Sequence, residues 1–194
     1  MPKNHNLNNG DIIFQSLKEE SLFNDAVSHS GTVSSMDKRI ITQINHVALY
    51  VGNNTVIHAT KKAGVAQQSL ADFFSAGRHH VIATIDNALI IQQALTRVIT
   101  CLGSPYNHSF HPDAEGFYCS ELITYAFKTE LCDDYFQLYP MNFKDLTTQQ
   151  ILPYWNNYYD CIKQTIPQGV LGSHPQQLLR QFHLFKTVRL FFAQ

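Results

Sequence analysis

Cys119 is the residue of this sequence best placed for nucleophilic chemistry. It lies in the segment Gly116 to Leu122 (GFYCSEL), after a long loop and at the predicted start of a helix. The unpaired N–H groups and positive partial charge at a helix N-terminus lower the pKa of a thiol there and can bind an oxyanion. Because buried structural cysteines also occur at helix starts, this position by itself leaves both a catalytic and a packing role open.

His46 and His58 lie on two β-rich segments that are typical of a hairpin. The segments are Ile44 to Val51 (INHVALYV) and Thr55 to Ala59 (TVIHA), separated by Gly-Asn-Asn. A three-residue turn places the two histidines on one face, at diagonal positions about 7–8 Å apart by backbone. A two-residue turn places them on opposite faces, where each would be an ordinary strand histidine.

A thiol, an imidazole and a second polar group that orients the imidazole can together cleave amides and esters. Metal binding is the weaker interpretation, because the remaining candidates lack the spacing of a metal motif. Those candidates are His79, His80, His108 and His111. The sequence therefore predicts no metal and no cofactor. Glu121, in the first helical turn, is expected to interact with the helix dipole rather than to catalyse.

The elements that must position these residues follow an α+β order rather than a regular βαβ alternation. Besides the hairpin, the sequence predicts strands at 11–15, 64–67 and 81–85 and a small helix at 69–74. Residues 17–37 are expected to be an irregular loop. These short, locally connected strands favour an antiparallel sheet.

Two longer helices are predicted from apolar periodicity. The first begins at the capping residue Asp86 and ends at Gly103, and the second runs from about Cys119 to Lys128. The apolar positions of the first are Ile91, Leu95, Val98 and Leu102. Residues 132–194 are aromatic-rich and interrupted by prolines, and Ser173 followed by Pro175 predicts one more helix there.

Composition excludes several classes of function. The chain has 194 residues and a net charge of −1, with 44% hydrophobic and 15% charged residues. This balance gives no electrostatic signature of nucleic-acid binding, and no apolar run is long enough to span a bilayer. The four cysteines are too widely spaced for a disulfide framework or a zinc site. The polar start of the sequence predicts a cytoplasmic protein, or a periplasmic or envelope protein if an upstream signal was removed.

Several motifs resemble those of a known family. Leu102 to Tyr106 (LGSPY) followed by the GFYCSEL segment resembles the nucleophile motif of NlpC/p60 cysteine peptidases. In those enzymes the histidine follows the cysteine, whereas His46 precedes Cys119. This reversed order resembles the circularly permuted YiiX/YebB-like group, as do Gly10 to Gln15 (GDIIFQ) and Val56 to Ala59 (VIHA). The resemblance covers roughly residues 9–129.

The resemblance implies a permuted papain-like fold, with an antiparallel sheet or small barrel packed against helices, in a single domain over residues 1–194. It implies a thiol hydrolase with Cys119 as nucleophile and His46 as general base. His58 falls at the position of the third, orienting residue, which in relatives is often an acid. Tyr106 and Tyr118 are expected to bind the oxyanion or the substrate, although Tyr106 could instead be an aromatic packed under a loop.

The expected substrate is an amide or ester in a small peptide, an acyl-amide or a lipid-like molecule. A cell-wall peptide endopeptidase is one alternative. A second is a catalytically silent binding module, which the histidine in place of an acid at position 58 favours. The sequence leaves the oligomeric state open.

Overall fold

The computed structural model describes residues 6–30, 44–145 and 147–191. Within these ranges the strands are β1 (Ile12–Leu17), β2 (His46–Gly52), β3 (Thr55–Thr60), β4 (Gly64–Ser69), β5 (Gly77–Thr84), β6 (Tyr139–Pro140), β7 (Leu171–Gly172) and β8 (Thr187–Phe191). The helices are α1 (Leu22–Ser30), α2 (Leu70–Ala76), α3 (Ala88–Thr100), α4 (Cys119–Ala126), α5 (Pro153–Ile162) and α6 (Pro175–Leu179), with a 3₁₀ turn at Phe182–Leu184.

Six of the strands form one antiparallel sheet in the order β4-β3-β2-β1-β5-β8. Its two faces bury two separate apolar clusters. Phe14, Val47 and Leu49 belong to the larger cluster, which includes residues of α3 and α4. Ile13 and Ala48 point to the other face, where α2 covers them. The predicted fold class, an α+β protein with an antiparallel sheet packed against helices, is confirmed.

The helix that begins at Cys119 is held at its far end by Arg97 of α3. The Arg97 guanidinium donates to the backbone oxygens of Ala126 and Lys128, at 2.6 and 2.8 Å. These carbonyls are left unpaired at a helix C-terminus, where a cation also interacts favourably with the helix dipole. Asn87 rather than the predicted Asp86 caps α3, accepting a hydrogen bond from the Ile90 N–H.

The prediction of an irregular loop from residue 17 to residue 37 is wrong for α1; residues 31–43 lie outside the described ranges. The Ser21 hydroxyl accepts from the Asn24 N–H at 3.1 Å and so caps the start of the helix. Ala26 is buried, and Phe23 packs against aromatic rings of α5. The helix is therefore fixed by a partner more than 120 residues away in sequence, a contact that local periodicity cannot reveal.

The C-terminal third contributes more structure than its sequence indicates. Strand β8 pairs with β5, from Thr84↔Thr187 to His80↔Phe191. Pro153 begins α5, consistent with the preference of proline for the first turn of a helix. Helix α6 confirms the helix expected near Pro175, but His174 rather than Ser173 provides the cap.

Candidate active site

One cavity of about 560 Å³ contains every residue that the sequence singles out for the site. These residues are Cys119, His46, His58, Tyr106 and Tyr118. They come from the start of α4, from β2 and β3, and from the loop between α3 and α4. The tertiary structure therefore brings the five together, while their chemical roles remain predictions.

A bulge in the β2–β3 hairpin puts the two histidines on one face. The turn has two residues, Asn53 and Asn54, both with positive φ, which by itself would put the histidines on opposite faces. The register shifts between Tyr50 and Gly52, however, because Val51 is an extra residue on β2. From Leu49↔Ile57 onward the pairing is the one that a three-residue turn would give.

The two imidazoles are in direct contact. His46 Nε2 lies 2.8 Å from His58 Nδ1, and both rings pack against Phe73 of α2. Burial lowers the pKa of His58 to about 4, and burial together with the nearby His58 lowers the pKa of His46 well below its usual value. Both rings are therefore neutral at physiological pH, and one of them donates the proton of the shared hydrogen bond.

The Cys119 sulfur receives the helix-terminus contacts that the sequence predicts. The N–H groups of Ser120 and of Cys119 itself favour its ionised form, as does the N–H of Val47, the neighbour of His46. Burial nevertheless outweighs these contacts and raises the pKa of the thiol to about 12. The expectation of a lowered pKa is thus wrong, and the resting side chain is a neutral thiol.

Two glycines allow the Tyr106 loop to reach Cys119. Gly116 has φ +90°, and a Cβ there would lie 2.1 Å from the Pro105 carbonyl oxygen. Gly64 has φ +63°, and a Cβ there would lie 2.2 Å from the Ser104 oxygen. Only glycine fits such close backbone approaches. Gly64 and Gly116 therefore allow the backbone of Ser104 and Pro105 to pack against β4 and against the segment before α4.

The two tyrosines have different surroundings. The Tyr118 hydroxyl accepts a hydrogen bond from the Ser173 N–H at 3.1 Å, which ties the start of α4 to the segment before α6. No hydrogen bond to the Tyr106 hydroxyl is found among the described residues. Burial, followed by the proximity of Cys119, raises the pKa of Tyr106 well above its usual value. Tyr106 is thus a neutral donor beside the Cys119 thiol.

Sequence reasoning did not assign Phe23 and Phe110 to the aromatic wall of the cavity. Phe23 of α1 stacks on Phe110 with ring centroids 6.4 Å apart and meets Trp155 edge-on at 6.1 Å. All three rings line the cavity. The cluster of aromatic residues at 154–159 is a visible signal in the sequence. Within this cluster Tyr159 is buried, whereas Trp155 both packs against its neighbours and lines the cavity.

The remaining histidines do not gather into a metal site. His80 is buried against Phe74, and His111 Nε2 lies 3.0 Å from the Thr165 carbonyl oxygen. His108 contacts the Tyr158 hydroxyl at 3.3 Å. Across residues 6–30, 44–145 and 147–191, no group of three His, Cys, Asp or Glu side chains could hold a metal ion.

In the fold and the cavity, the strand that carries His46 precedes the helix that begins at Cys119, which is the order expected of a permuted papain-like protein. The sequence model of the permuted papain-like amidases (YaeF/YiiX, C92 family) matches residues 6–187. The chain belongs to this family, and it is therefore a cysteine amidase of papain-like type. The wider relationship to NlpC/p60 enzymes stays a prediction.

The fold is also similar to a solved structure, described as the metalloprotein yiiX from Escherichia coli O157:H7. The TM-score is 0.69 over 96% of this chain and 97% of that one, with 18% sequence identity. At this identity the likeness concerns the fold alone. No curated protein matches the chain. In the part of the chain that is described, no helix is long and apolar enough to cross a membrane.

His80 gives a test of the buried-histidine electrostatics. Neither ring nitrogen has a hydrogen-bond partner among the described residues, and burial lowers its pKa to about 4. In the unfolded chain His80 binds a proton as the pH falls through about 6.5, whereas in the folded protein it stays neutral until about pH 4. The free energy of unfolding therefore falls as the pH decreases from 6.5 toward 4. We expect His80→Leu to reduce this acid-induced loss of unfolding free energy by roughly 1–2 kcal/mol.

Urea unfolding of wild type and His80→Leu at pH 7.5 and pH 5 measures this effect. His183→Leu, at an exposed histidine of the 3₁₀ turn, serves as the matched control. An equal acid-induced loss in wild type and His80→Leu would show that His80 does not contribute.

Proposed function

We propose that Cys119 is the nucleophile of a thiol amidase, that His46 is its general base, and that His58 orients His46. The observation that carries this assignment is the 2.8 Å contact between the two imidazoles in the cavity that also contains the Cys119 thiol. The N–H of Val47, next to His46 in sequence, reaches the sulfur. This contact supports a short path for proton transfer from the thiol to the His46 ring.

The hydrogen bond between the imidazoles decides the tautomers. Because His46 Nε2 is engaged by His58 Nδ1, only Nδ1 of His46 is available to accept the thiol proton. His46 must then carry its proton on Nε2 and donate it to His58, whose own proton lies on Nε2. His58 thereby fixes both the orientation and the tautomer of the base, as a third residue does in other nucleophilic sites.

The reaction begins when Cys119 transfers its proton to His46 as the sulfur attacks the amide carbonyl. The Cys119 N–H and the Tyr106 hydroxyl bind the developing oxyanion. His46 then protonates the leaving amine, and water, activated by the same imidazole, hydrolyses the acyl-enzyme. Since His58 is neutral, the imidazolium is stabilised less than it would be by a carboxylate. Proton transfer therefore accompanies attack rather than preceding it.

The cavity supports an amide with an apolar acyl group as substrate. Phe23, Phe110 and Trp155 provide an aromatic wall beside the nucleophile, and such surfaces bind acyl chains through burial of apolar area. The Lys61 ammonium lies 4.0 Å from the Phe23 ring centroid, and its charge is partly balanced by Glu19. This cation favours N-acyl amino acids and small peptides, which carry a carboxylate, over intact cell wall.

Substitution of the nucleophile is the first test. Cys119→Ala should keep the fold, because it removes one sulfur atom from a helix start, and should abolish turnover of an N-acyl amide. Release of the amine measures the reaction, and circular dichroism verifies the fold. Cys101→Ala, at another buried cysteine, is the matched control and should retain activity. Wild-type turnover in Cys119→Ala contradicts the assignment.

The missing negative charge at position 58 gives a second test. His58→Asp places a carboxylate where Nδ1 now accepts, stabilises the His46 imidazolium, and should raise the rate of Cys119 alkylation by iodoacetamide at pH 7 by roughly tenfold. His58→Asn retains an acceptor without charge and is the control. Mass spectrometry assigns the alkylated cysteine. Equal rates for the two variants would mean that His58 does not act through His46.

The aromatic wall gives a third test. Among acyl p-nitroanilides, kcat/KM should rise at least about tenfold from acetyl to octanoyl, because added methylenes are buried against the wall. Phe23→Ala should flatten this dependence, whereas Phe182→Ala, at a half-exposed ring that does not line the cavity, should leave it unchanged. No dependence on acyl length in the wild type would exclude the acyl groove and favour a peptide substrate.

A further inference from the structure

Glu121 joins the start of α4 to the loop that carries Tyr106. One carboxylate oxygen, Oε2, accepts from the Tyr118 N–H at 3.1 Å and from Asn107 Nδ2 at 3.1 Å. The same Asn107 amide group donates to the His111 carbonyl oxygen at 2.9 Å, and Oδ1 accepts from the Ser109 hydroxyl. Asn107 is only 1% exposed and is fully hydrogen-bonded, so Glu121 holds a rigid loop rather than a single side chain.

The Glu121 carboxyl is also an electrostatic neighbour of the reacting groups. Burial raises its pKa to about 7, although the hydrogen bonds from Tyr118 and Asn107 act in the opposite direction. No salt bridge to Glu121 is found among the described residues. Its ionised form in turn raises the pKa of Cys119, Tyr106 and Tyr118. A negative charge at this position therefore opposes formation of both the thiolate and the oxyanion.

We propose that Glu121 is a positioning residue that also restrains the nucleophile. Its hydrogen bonds hold Tyr106 beside Cys119, and ionisation of its carboxyl makes the Cys119 thiol less reactive. The positioning effect is an effect on turnover and therefore rests on the proposed function. The electrostatic effect concerns the reactivity of the Cys119 thiol alone and does not rest on that function. This role goes beyond that of a helix cap, because it makes the reactivity of the site depend on the charge of one side chain.

The groups around the carboxyl are consistent with this role. Tyr118 and Cys119 face it from α4, and Tyr106 and Asn107 face it from the preceding loop. The pKa values of His46 and His58 are lowered by burial, and that of His46 also by His58, with no contribution from Glu121. Glu121 therefore affects the thiol without changing the base.

Glu121→Gln separates the charge from the geometry, since its amide oxygen can accept both hydrogen bonds. Iodoacetamide alkylation of Cys119, followed by mass spectrometry without substrate from pH 5 to pH 10, should be roughly three- to tenfold faster than in wild type at pH 8.5. The difference should disappear below about pH 6, where Glu121 of the wild type is itself protonated. Glu130→Gln, which removes an exposed carboxylate bonded to Gln93, is the matched control and should follow the wild type.

Turnover tests the positioning effect. Glu121→Ala should lower kcat of an N-acyl amide more than tenfold, while Glu121→Gln keeps kcat within a few-fold of wild type, because only alanine releases Asn107. Identical alkylation profiles for wild type and Glu121→Gln would overturn the electrostatic effect, and equal kcat in the Ala and Gln variants would overturn the positioning effect. Turnover that survives in Cys119→Ala would contradict the proposed function, whatever the Glu121 variants show.

Discussion

The hydrogen bond between His46 and His58 is the interaction on which the site depends. It exists because one extra residue, Val51, corrects the register that the two-residue Asn53–Asn54 turn would otherwise impose. Without the bulge, the two side chains would point to opposite faces of the sheet. With it, a pair of strands brings two imidazoles into contact, and α4 has only to bring a thiol to the same end of β2.

Burial is the dominant electrostatic effect in this cavity. It lowers the pKa of both imidazoles and raises that of the Cys119 thiol and the Glu121 carboxyl. The helix-terminus N–H groups lower the pKa of the Cys119 thiol, but their effect is smaller than that of burial. The thiol and the two imidazoles are consequently uncharged at rest. Neutral side chains cost less to bury than charged ones.

The surroundings of the site come from segments far apart in the chain. Phe23 of α1 and Trp155 of α5 form one wall, and the segment before α6 anchors the Tyr118 hydroxyl through the Ser173 N–H. The C-terminal third, whose sequence carries no motif, therefore shapes the substrate cavity and extends the sheet through β8. These segments line the cavity but contribute none of Cys119, His46 and His58, so changes in them can alter the shape of the cavity without replacing those three side chains.

The sequence by itself determined the order and type of the regular elements up to α4, apart from α1, and the five residues that share the cavity. Period-2 alternation, helix caps and the GFYCSEL segment are local signals, and each was sufficient to locate its element. Helix α1 and strand β8 were missed because they are stabilised by distant partners. The shift of the Cys119 pKa was predicted in the wrong direction for a related reason: a helix terminus is visible in sequence, but the burial of a sulfur atom is not. The tertiary structure alone decided the bulge, the hydrogen bond between the two imidazoles, and the aromatic wall, since each depends on contacts between segments that only the folded chain brings together.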